Sequence, residues 1–368
     1  MSDFELNRRS VLGAGAGLAL FPWRTVLAAA GPEARAAPST AVRLSANENP
    51  YGPSAAAQRA AREAVARGNR YVPREAQEAL VRTIAEREGL SAEHVVLTAG
   101  STELLCTAAA AFGVGGSHVL CSDEVFPVLP RYAERLGARV ERVPMTEGKA
   151  HDLAALEARV SAQTRLVYVC NPSNPTGTVV PTESLRRFCA RVSAHAPVLV
   201  DEAYVEYLEE PASMVELLRQ GHDLVISRTF SKVYGLAGLR IGYGLARPQV
   251  AERLRALRMS LPSPVALAAA RASLLDPAFV TLSRTRNAQA RAWTARALDA
   301  LGVRYIPSHA NFLYFRAPSR ELPAQLLRRG VAITHTAEPL HSDWARVSIG
   351  TLPEMRAFAA ALGEALRS

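Results

Sequence analysis

The chain has 368 residues, of which 49% are hydrophobic, so it is long and apolar enough to bury a large core and to form two domains. The formal net charge of +9 comes from arginines scattered along helix-like segments, without a basic run interleaved with aromatic residues, and this argues against nucleic-acid binding. The four cysteines show neither CxxC spacing nor a cluster with histidine, so no metal site is predicted: Cys106, Cys121, Cys170 and Cys189.

The N-terminus has the organisation of an export signal. The pair Arg8 and Arg9 precedes an apolar run rich in Ala, Gly and Leu, and small residues suited to cleavage follow at Ala30 and Ala36. This order predicts a twin-arginine-type signal peptide over residues 1–36 and a periplasmic location, with an amphipathic helix as the alternative. The apolar run is shorter than the ~20 residues that span a bilayer, so no stable membrane span is expected.

After the signal, a polar, proline-punctuated arm over residues 37–70 leads into alternating strand-like and helix-like segments. Apolar or β-branched runs predict seven strands, at residues 95–98, 118–122, 139–143, 166–170, 198–200, 224–227 and 241–245. Helix-forming segments between most of them are typical of a mostly parallel sheet covered by helices. The predicted fold class is therefore α/β, with a large domain over residues 71–262.

The pattern changes after this domain. Ala, Leu and Arg recur at helical spacing from Ser263 to Gly302, and strand-like segments follow at residues 311–316 and 331–334. This predicts a smaller α+β domain over residues 263–368, packed with the N-terminal arm.

A glycine turn after the first of these strands leads into a helix. Gly100 follows the strand, and Ser101 and Thr102 open the helix. The free backbone N–H groups of such a helix start can bind a phosphate, although a simple helix cap has the same pattern.

Two polar motifs follow later strands at their carboxyl ends, where open α/β sheets bind ligands. Asn174 lies in a turn with two prolines, and Asp201 ends an apolar strand three residues before Tyr204. A buried carboxylate is costly unless it meets a cation, and a protonated ring nitrogen of a cofactor would provide one. Taken singly, the Asn174 motif can also be only a rigid turn, and Asp201 can also be only a cap for the next helix.

Lys232 is one of only two lysines, although Lys and Arg together number 43. Because guanidinium stays charged, a retained lysine here indicates an amine that can lose its proton and form a Schiff base, although an ordinary surface lysine is the alternative for a rare lysine taken alone. Arg240, eight residues later, can pair with a phosphate of the same cofactor. The other lysine, Lys149, lies in a turn-like segment and is expected to be an ordinary surface residue.

Four motifs follow one another along the chain: the glycine turn that can bind a phosphate, the turn with Asn174, the strand that ends at Asp201, and Lys232. In this order they resemble the motifs of the fold-type I pyridoxal-5′-phosphate enzymes, specifically class I/II aminotransferases of the histidinol-phosphate aminotransferase-like branch. The resemblance covers nearly all of the chain after the signal. It implies that Lys232 forms the Schiff base with the cofactor and that Asp201 contacts the pyridine nitrogen. It also implies hydrogen bonds from Asn174 and Tyr204 to the ring hydroxyl. The phosphate-binding residues that it implies are Ser101, Thr102, Thr229, Ser231 and Arg240.

The same resemblance assigns residues outside these motifs. Phe126 matches the aromatic residue that stacks on the cofactor ring, and Arg346 matches the arginine that binds the substrate α-carboxylate. Asn311 and Tyr51 are further substrate-side candidates. Tyr71 matches a tyrosine that reaches the phosphate of the neighbouring subunit, which implies a homodimer with shared active sites.

The implied activity is ping-pong transfer of an amino group between an amino acid, or a related amine such as histidinol phosphate, and a 2-oxo acid. Two positions depart from the branch: Thr334 stands where an arginine is usual on the substrate side, and Leu129 stands where an aromatic residue is expected. These departures and the export signal favour a related aminotransferase whose donor and acceptor the sequence leaves open. A pyridoxal-phosphate-dependent decarboxylase of the threonine-phosphate decarboxylase type is the alternative.

Overall fold

The computed structural model describes residues 41–210, 212–335 and 343–367. The predicted signal peptide over residues 1–36 lies outside the described residues, as do residues 37–40 of the predicted arm. The division of the rest into an arm, a large domain and a small domain at residues 70 and 262 stays a prediction.

Strands and helices alternate through much of the described chain. The strands are β1 (Val42–Arg43), β2 (Val95–Thr98), β3 (His118–Ser122), β4 (Arg139–Val143), β5 (Thr164–Cys170), β6 (Val198–Asp201), β7 (Leu224–Thr229), β8 (Gly242–Ala246), β9 (Tyr305–Ile306), β10 (Phe312–Arg316), β11 (Val331–Ala332), β12 (Thr334–His335) and β13 (Trp344–Ser348). The α-helices are α1 (Ala55–Val65), α2 (Arg74–Glu88), α3 (Ser101–Phe112), α4 (Val128–Arg135), α5 (Leu153–Ala158), α6 (Thr182–Val192), α7 (Val215–Arg219), α8 (Pro248–Leu257), α9 (Pro264–Leu274), α10 (Pro277–Ala300), α11 (Leu322–Arg328) and α12 (Leu352–Arg367).

The large sheet of the described chain has seven strands in the order β2-β8-β7-β6-β5-β3-β4. Strand β8 is antiparallel to both of its neighbours, and the other pairs are parallel. The predicted fold class and the seven predicted strands are confirmed, with ends that differ by one or two residues. Short apolar runs between helix formers identified most of them because a parallel sheet is buried on both faces; the edge strand β4 is partly exposed.

Side-chain alternation along β6 shows how the sheet is covered. Val198 and Val200 belong to one core cluster, and Leu199 belongs to another on the opposite face. The same alternation places Asp201, the last residue of β6, on the face of Leu199. The strand therefore ends with a carboxylate directed to one side of the sheet.

A second sheet has the order β12-β13-β10-β9, and β1 pairs in parallel with β11. The predicted single strand at residues 331–334 is wrong, because the chain changes partner at Ile333: β11 pairs with β1, whereas β12 pairs with β13. Leu44 from the arm packs with Ile333 and Phe358 in one core cluster. The arm therefore packs against the C-terminal elements, and this long-range pairing leaves no local pattern in the sequence.

The helical region predicted at residues 263–302 consists of α9 and α10. Ser263 and Asp276 cap these helices by accepting hydrogen bonds from backbone N–H groups three residues later, and a proline occupies the first turn of each helix. Within the three described ranges, no single helix is long and apolar enough to cross a membrane; α9 and α10 reach those limits only as a pair bent by 81°.

Candidate active site

A cavity of about 390 Å³ lies at the carboxyl ends of β5, β6 and β7 and extends to the arm and to β13. The predicted site residues that line it are Ser101, Thr102, Phe126, Asn174, Asp201, Tyr204, Thr229, Ser231, Lys232, Arg240 and Arg346. Residues from six separate segments thus meet around one space. Asn174, Asp201 and Lys232 lie near one another because the parallel strands β5, β6 and β7 that precede them end at the same edge of the sheet.

Asp201 lies at the base of this cavity. The Tyr168 hydroxyl donates to its Oδ2 at 3.3 Å, whereas its buried Oδ1 has no hydrogen-bond partner among the described residues. Burial raises the pKa of Asp201 to about 6, although the nearby hydroxyls of Ser227 and Tyr168 oppose the rise. A cationic donor placed in the cavity would satisfy Oδ1 and favour the ionised carboxylate.

Two amides hold the Tyr204 phenol. Asn47 and Asn174 donate to its hydroxyl oxygen from their Nδ2 atoms, at 3.0 and 3.4 Å, and Phe312 meets its ring edge to face with centroids 5.2 Å apart. Both amide contacts use the phenol oxygen as acceptor, so its proton is available to a ligand. Burial raises the pKa of Tyr204, and the phenol therefore stays protonated at neutral pH.

Lys232 lies three residues after the end of β7. Its Nζ donates to the backbone carbonyls of Ala46 and Asn47, at 3.3 and 3.2 Å. Burial lowers its pKa to about 8, and the cations of Arg346 and Arg240 act in the same direction. Since neutral carbonyls stabilise ammonium less than a carboxylate would, this amine loses its proton more readily than an ordinary lysine.

The start of α3 forms an anion site with Arg240. Gly100 has φ +85°, which favours glycine, and a Cβ at this position would lie 2.5 Å from Nη2 of Arg240 and displace that guanidinium. Ser101 begins the helix and presents its N-terminus to the cavity. Thr229 and Ser231 add hydroxyls on the opposite side, where Oγ1 of Thr229 donates to Oγ of Ser231 at 3.0 Å. A helix N-terminus, a guanidinium and hydroxyls together suit a phosphate.

Arg346 lies in the middle of β13 and extends into the cavity. Its Nη1 donates to Oδ1 of Asn174 at 2.6 Å, and its Nη2 donates to the Ser45 carbonyl at 2.9 Å. Its Nε is buried and has no partner among the described residues. Burial lowers the pKa of Arg346 because these acceptors are neutral and do not compensate the charge.

The remaining predicted site residues do not line the cavity. Asn311 is buried and donates to the carbonyls of Asn47 and Glu48, at 3.0 and 3.3 Å, so it holds the arm. Tyr51 packs under the Arg286 guanidinium, 5.0 Å from its ring centroid. Tyr71 is fully exposed.

Asn47 is the residue that the sequence did not predict. Besides its bond to Tyr204, its backbone N–H donates to Oγ of Ser348 at 2.7 Å, and its Oδ1 accepts from the same hydroxyl at 3.0 Å. Its neighbours Ala46 and Glu48 also line the cavity. The polar run in the arm was visible, but nothing local indicates that Asn47 meets residues 157 and 301 positions away.

The class of protein follows from what this cavity can hold. A planar ring with a cationic nitrogen would meet Asp201, its hydroxyl would meet Tyr204, and an attached phosphate would meet the start of α3. This arrangement on a mostly parallel sheet defines a fold-type I, pyridoxal-phosphate-dependent enzyme. Residues 39–362 match the family model for aminotransferase class I and II, and the chain belongs to that family.

Individual relatives agree with this family. Histidinol-phosphate aminotransferase 2 of Ralstonia nicotianae is 38% identical over 286 residues, which cover 76% of each chain. The protein of the same name from Pseudomonas aeruginosa is 38% identical over 334 residues, which cover 89% of this chain and 90% of the relative. The crystal structure of histidinol-phosphate aminotransferase from Sinorhizobium meliloti with pyridoxal-5′-phosphate has a TM-score of 0.83 and 29% identity, and the match covers 89% and 91% of the two chains. The chain is therefore a pyridoxal-phosphate-dependent aminotransferase, and these names favour it over the decarboxylase alternative.

The residues present fit this cofactor. Oδ1 of Asp201 is a buried acceptor that lacks a donor, as a partner of a protonated ring nitrogen must be. The glycine at position 100 has no Cβ to displace the Arg240 guanidinium from the cavity that it lines. The lowered pKa of Lys232 suits an amine that must react with an aldehyde.

Proposed function

We propose that the enzyme transfers the amino group of an α-amino acid to a 2-oxo acid and that Arg346 binds the α-carboxylate. The observation that carries this proposal is the buried guanidinium of Arg346, whose acceptors, the Asn174 amide and the Ser45 carbonyl, are neutral. A buried cation without a compensating anion is unfavourable, so a carboxylate ligand would gain a strong, planar pair of hydrogen bonds.

Bound pyridoxal phosphate supplies an electron sink for negative charge at the substrate Cα. Lys232 would hold the cofactor covalently and, once displaced by the substrate amine, would move the Cα proton as general base and acid. Asp201 would keep the ring nitrogen protonated, and Tyr204 would donate to the ring hydroxyl. Phe126 would pack on the ring, an interaction worth ~0.5 to 1.5 kcal/mol beyond burial. The phosphate would be held by Ser101, Thr102, Thr229, Ser231 and Arg240.

Replacing Arg346 by methionine tests the carboxylate assignment. We expect the KM for L-glutamate or L-histidine to rise by at least about tenfold, because a charge-assisted bidentate pair is worth roughly 1.5 to 3 kcal/mol. L-Histidinol, which lacks the carboxylate, should be unaffected. Steady-state kinetics on these donors measure the effect. Arg316→Met, on the neighbouring strand β10 and exposed, is the matched control.

Histidinol phosphate is the second candidate donor, because the relatives above carry that name. Thr334, directly opposite Arg346 in the β12–β13 pair, donates its hydroxyl to the Ser45 carbonyl and adds no charge. Among the donors tested, turnover restricted to histidinol phosphate would contradict an amino-acid donor.

The proposal includes a homodimer in which Tyr71 of each chain completes the phosphate site of its partner. Two exposed side chains support this proposal, because a partner subunit could cover them. Tyr71 is fully exposed, and Met259 is 87% exposed. Met259 lies beside α3, where its N–H donates to Oε1 of Glu103 at 3.0 Å. If sites are shared, mixing inactive Tyr71→Ala and Lys232→Ala chains regains activity, since each hybrid has one intact site. A monomer in analytical ultracentrifugation, or a mixture that stays inactive, contradicts the dimer.

We also propose export to the periplasm through the twin-arginine signal. Support comes from the sequence of residues 1–36 alone. That route carries folded proteins, which suits an enzyme that binds its cofactor before crossing. A reporter fused after residue 40 should reach the periplasm, and replacing Arg8 and Arg9 by lysine should keep it in the cytoplasm. A reporter that stays cytoplasmic with both arginines present contradicts the proposal.

A further inference from the structure

Lys149, the second lysine of the chain, is not the ordinary surface residue that its turn suggested. Its backbone adopts the left-handed conformation, with φ +60°. Its Nζ forms an ion pair with Glu124, and its backbone carbonyl accepts a hydrogen bond from Oγ1 of Thr178 at 2.7 Å. Thr178 follows the turn that carries Asn174. Lys149 therefore connects segments that are distant in sequence and close to the active site.

On one side, Lys149 meets the loop that carries Phe126. The Glu124 side chain is 1% exposed, and it stands two residues before Phe126 in the loop between β3 and α4. A buried carboxylate must be compensated by a cation, and Lys149 supplies one. The position of Lys149 is therefore coupled to the loop whose Phe126 lines the cavity.

On the other side, Lys149 meets the strand that carries Arg346. Its Nζ lies 5.8 Å from the ring centroid of Trp344, the first residue of β13. Alternation along a strand places Trp344 and Arg346 on one face. The Trp344 ring also stacks on Tyr314, at 4.9 Å between centroids, and Tyr314 pairs directly with Arg346 in the register of β10 and β13.

We propose that Lys149 is a positioning residue for the amino donor. By pairing with Glu124 and packing over Trp344, it fixes the strand of Arg346 relative to the loop of Phe126. Both side chains line the cavity in which the substrate would bind. The inference rests on the proposed role of Arg346 and adds the residue that sets its distance from the cofactor side of the cavity.

The chemistry of lysine suits both contacts. An ammonium group is compact and can donate to a carboxylate while its remaining face lies over an indole ring. The Lys149 side chain is 24% exposed, so the pair is only partly screened by water. A displacement of Arg346 by about 1 Å is enough to reduce kcat/KM by as much as about 100-fold, because the carboxylate must be held in one reactive orientation.

The test compares Lys149→Met with Lys149→Arg in the holoenzyme, using whichever of L-glutamate and L-histidine gives the higher kcat/KM. We expect Lys149→Met to raise KM by about tenfold or more, with cofactor affinity unchanged. Lys149→Arg keeps the positive charge, so its KM should stay close to that of the wild type. Arg191→Met, which removes an exposed ion pair with Glu157, is the control and should leave KM unchanged. An unchanged KM in Lys149→Met overturns the inference.

Two further measurements separate positioning from stability. Lys149→Met combined with Glu124→Gln removes both charges of this ion pair, so the thermal midpoint should partly recover while KM stays raised; recovery of KM overturns the inference. In the apoenzyme, Lys149→Met should change the fluorescence of Trp344. The contribution of Trp344 is obtained by subtracting the spectrum of the same protein with Trp344→Phe, once with Lys149 and once with Lys149→Met. An identical spectrum contradicts the Lys149–Trp344 contact.

The outcomes also distinguish this inference from the proposed function. If Arg346→Met leaves the KM for the amino acid unchanged, the carboxylate assignment is wrong. If Arg346→Met raises that KM and Lys149→Met does not, the carboxylate assignment stands and only the role of Lys149 is wrong.

Discussion

Replacing Lys232 by alanine is expected to reduce transamination by about four orders of magnitude or more, because the chain loses both the amine that binds the cofactor and the base that moves the Cα proton. Lys232→Arg should be equally inactive, since guanidinium neither forms a Schiff base nor gives up its proton near neutral pH. Single-turnover kinetics and the visible absorption of the lysine-bound cofactor measure both losses.

The scarcity of lysine makes a direct chemical control available. Borohydride reduction of the holoenzyme should leave the cofactor on the peptide that contains Lys232 and not on the one that contains Lys149, the other lysine of the chain. Lys149→Arg should keep the visible band. A cofactor adduct on another residue, or an active Lys232→Ala variant, contradicts the assignment.

The lowered pKa of Lys232 also predicts a pH effect on the apoenzyme. Its pKa is about 8 in the folded chain and 10.5 ordinarily, so between these values the unfolded chain binds more protons and stability rises with pH. Lys232→Met should therefore be more stable than the wild-type apoenzyme below pH 8. The difference should shrink towards pH 10.5, and thermal unfolding across this range measures it. A constant difference would mean that the amine is not desolvated.

Replacing Arg228 by methionine is expected to cost about 3 to 5 kcal/mol of unfolding free energy, because it leaves buried carboxylates uncompensated. The Arg228 side chain is 6% exposed; its Nε pairs with Oε2 of Glu202 at 2.8 Å, and its Nη1 pairs with Oε1 of Glu206 at 3.4 Å. Burial raises the pKa of both glutamates, and Arg228 opposes the rise. Urea denaturation of the apoenzyme measures the loss.

Arg228, Glu202 and Glu206 form a buried cluster near the predicted cofactor residues but on the other face of the sheet. Glu202 follows Asp201, and Arg228 precedes Thr229, but alternation directs the pair to the opposite face. Adding Glu202→Gln to Arg228→Met should therefore recover part of the stability by removing one uncompensated charge. Arg191→Met, at the exposed pair with Glu157, should change the denaturation midpoint only slightly. Equal losses at both sites would contradict a desolvated cluster.

The sequence by itself determined the large sheet and the cofactor side of the site. Short apolar runs identified most of β2 to β8 because a strand buried on both faces must be apolar along its length; the edge strand β4 is partly exposed and carries charged residues. Polar residues at or shortly after the ends of such runs predicted Asn174 and Asp201, since strand ends and their loops form the ligand edge of a parallel sheet, and the scarcity of lysine singled out Lys232. Each of these patterns lies within a short stretch of sequence, so it can be recognised without knowing how the chain folds.

The resemblance predicted Arg346 on the substrate side, but only the tertiary structure decided which residues it meets there. Asn47 meets Tyr204, Arg346 meets Asn174, and Lys149 lies over Trp344 because the arm and β13 fold back onto the large sheet. Residues 331–334 are also divided between two sheets by pairing with distant strands, since β11 pairs with β1 and β12 pairs with β13. Hydrogen bonds and ion pairs between segments more than a hundred residues apart depend on chain packing, and no short pattern in either segment records its partner.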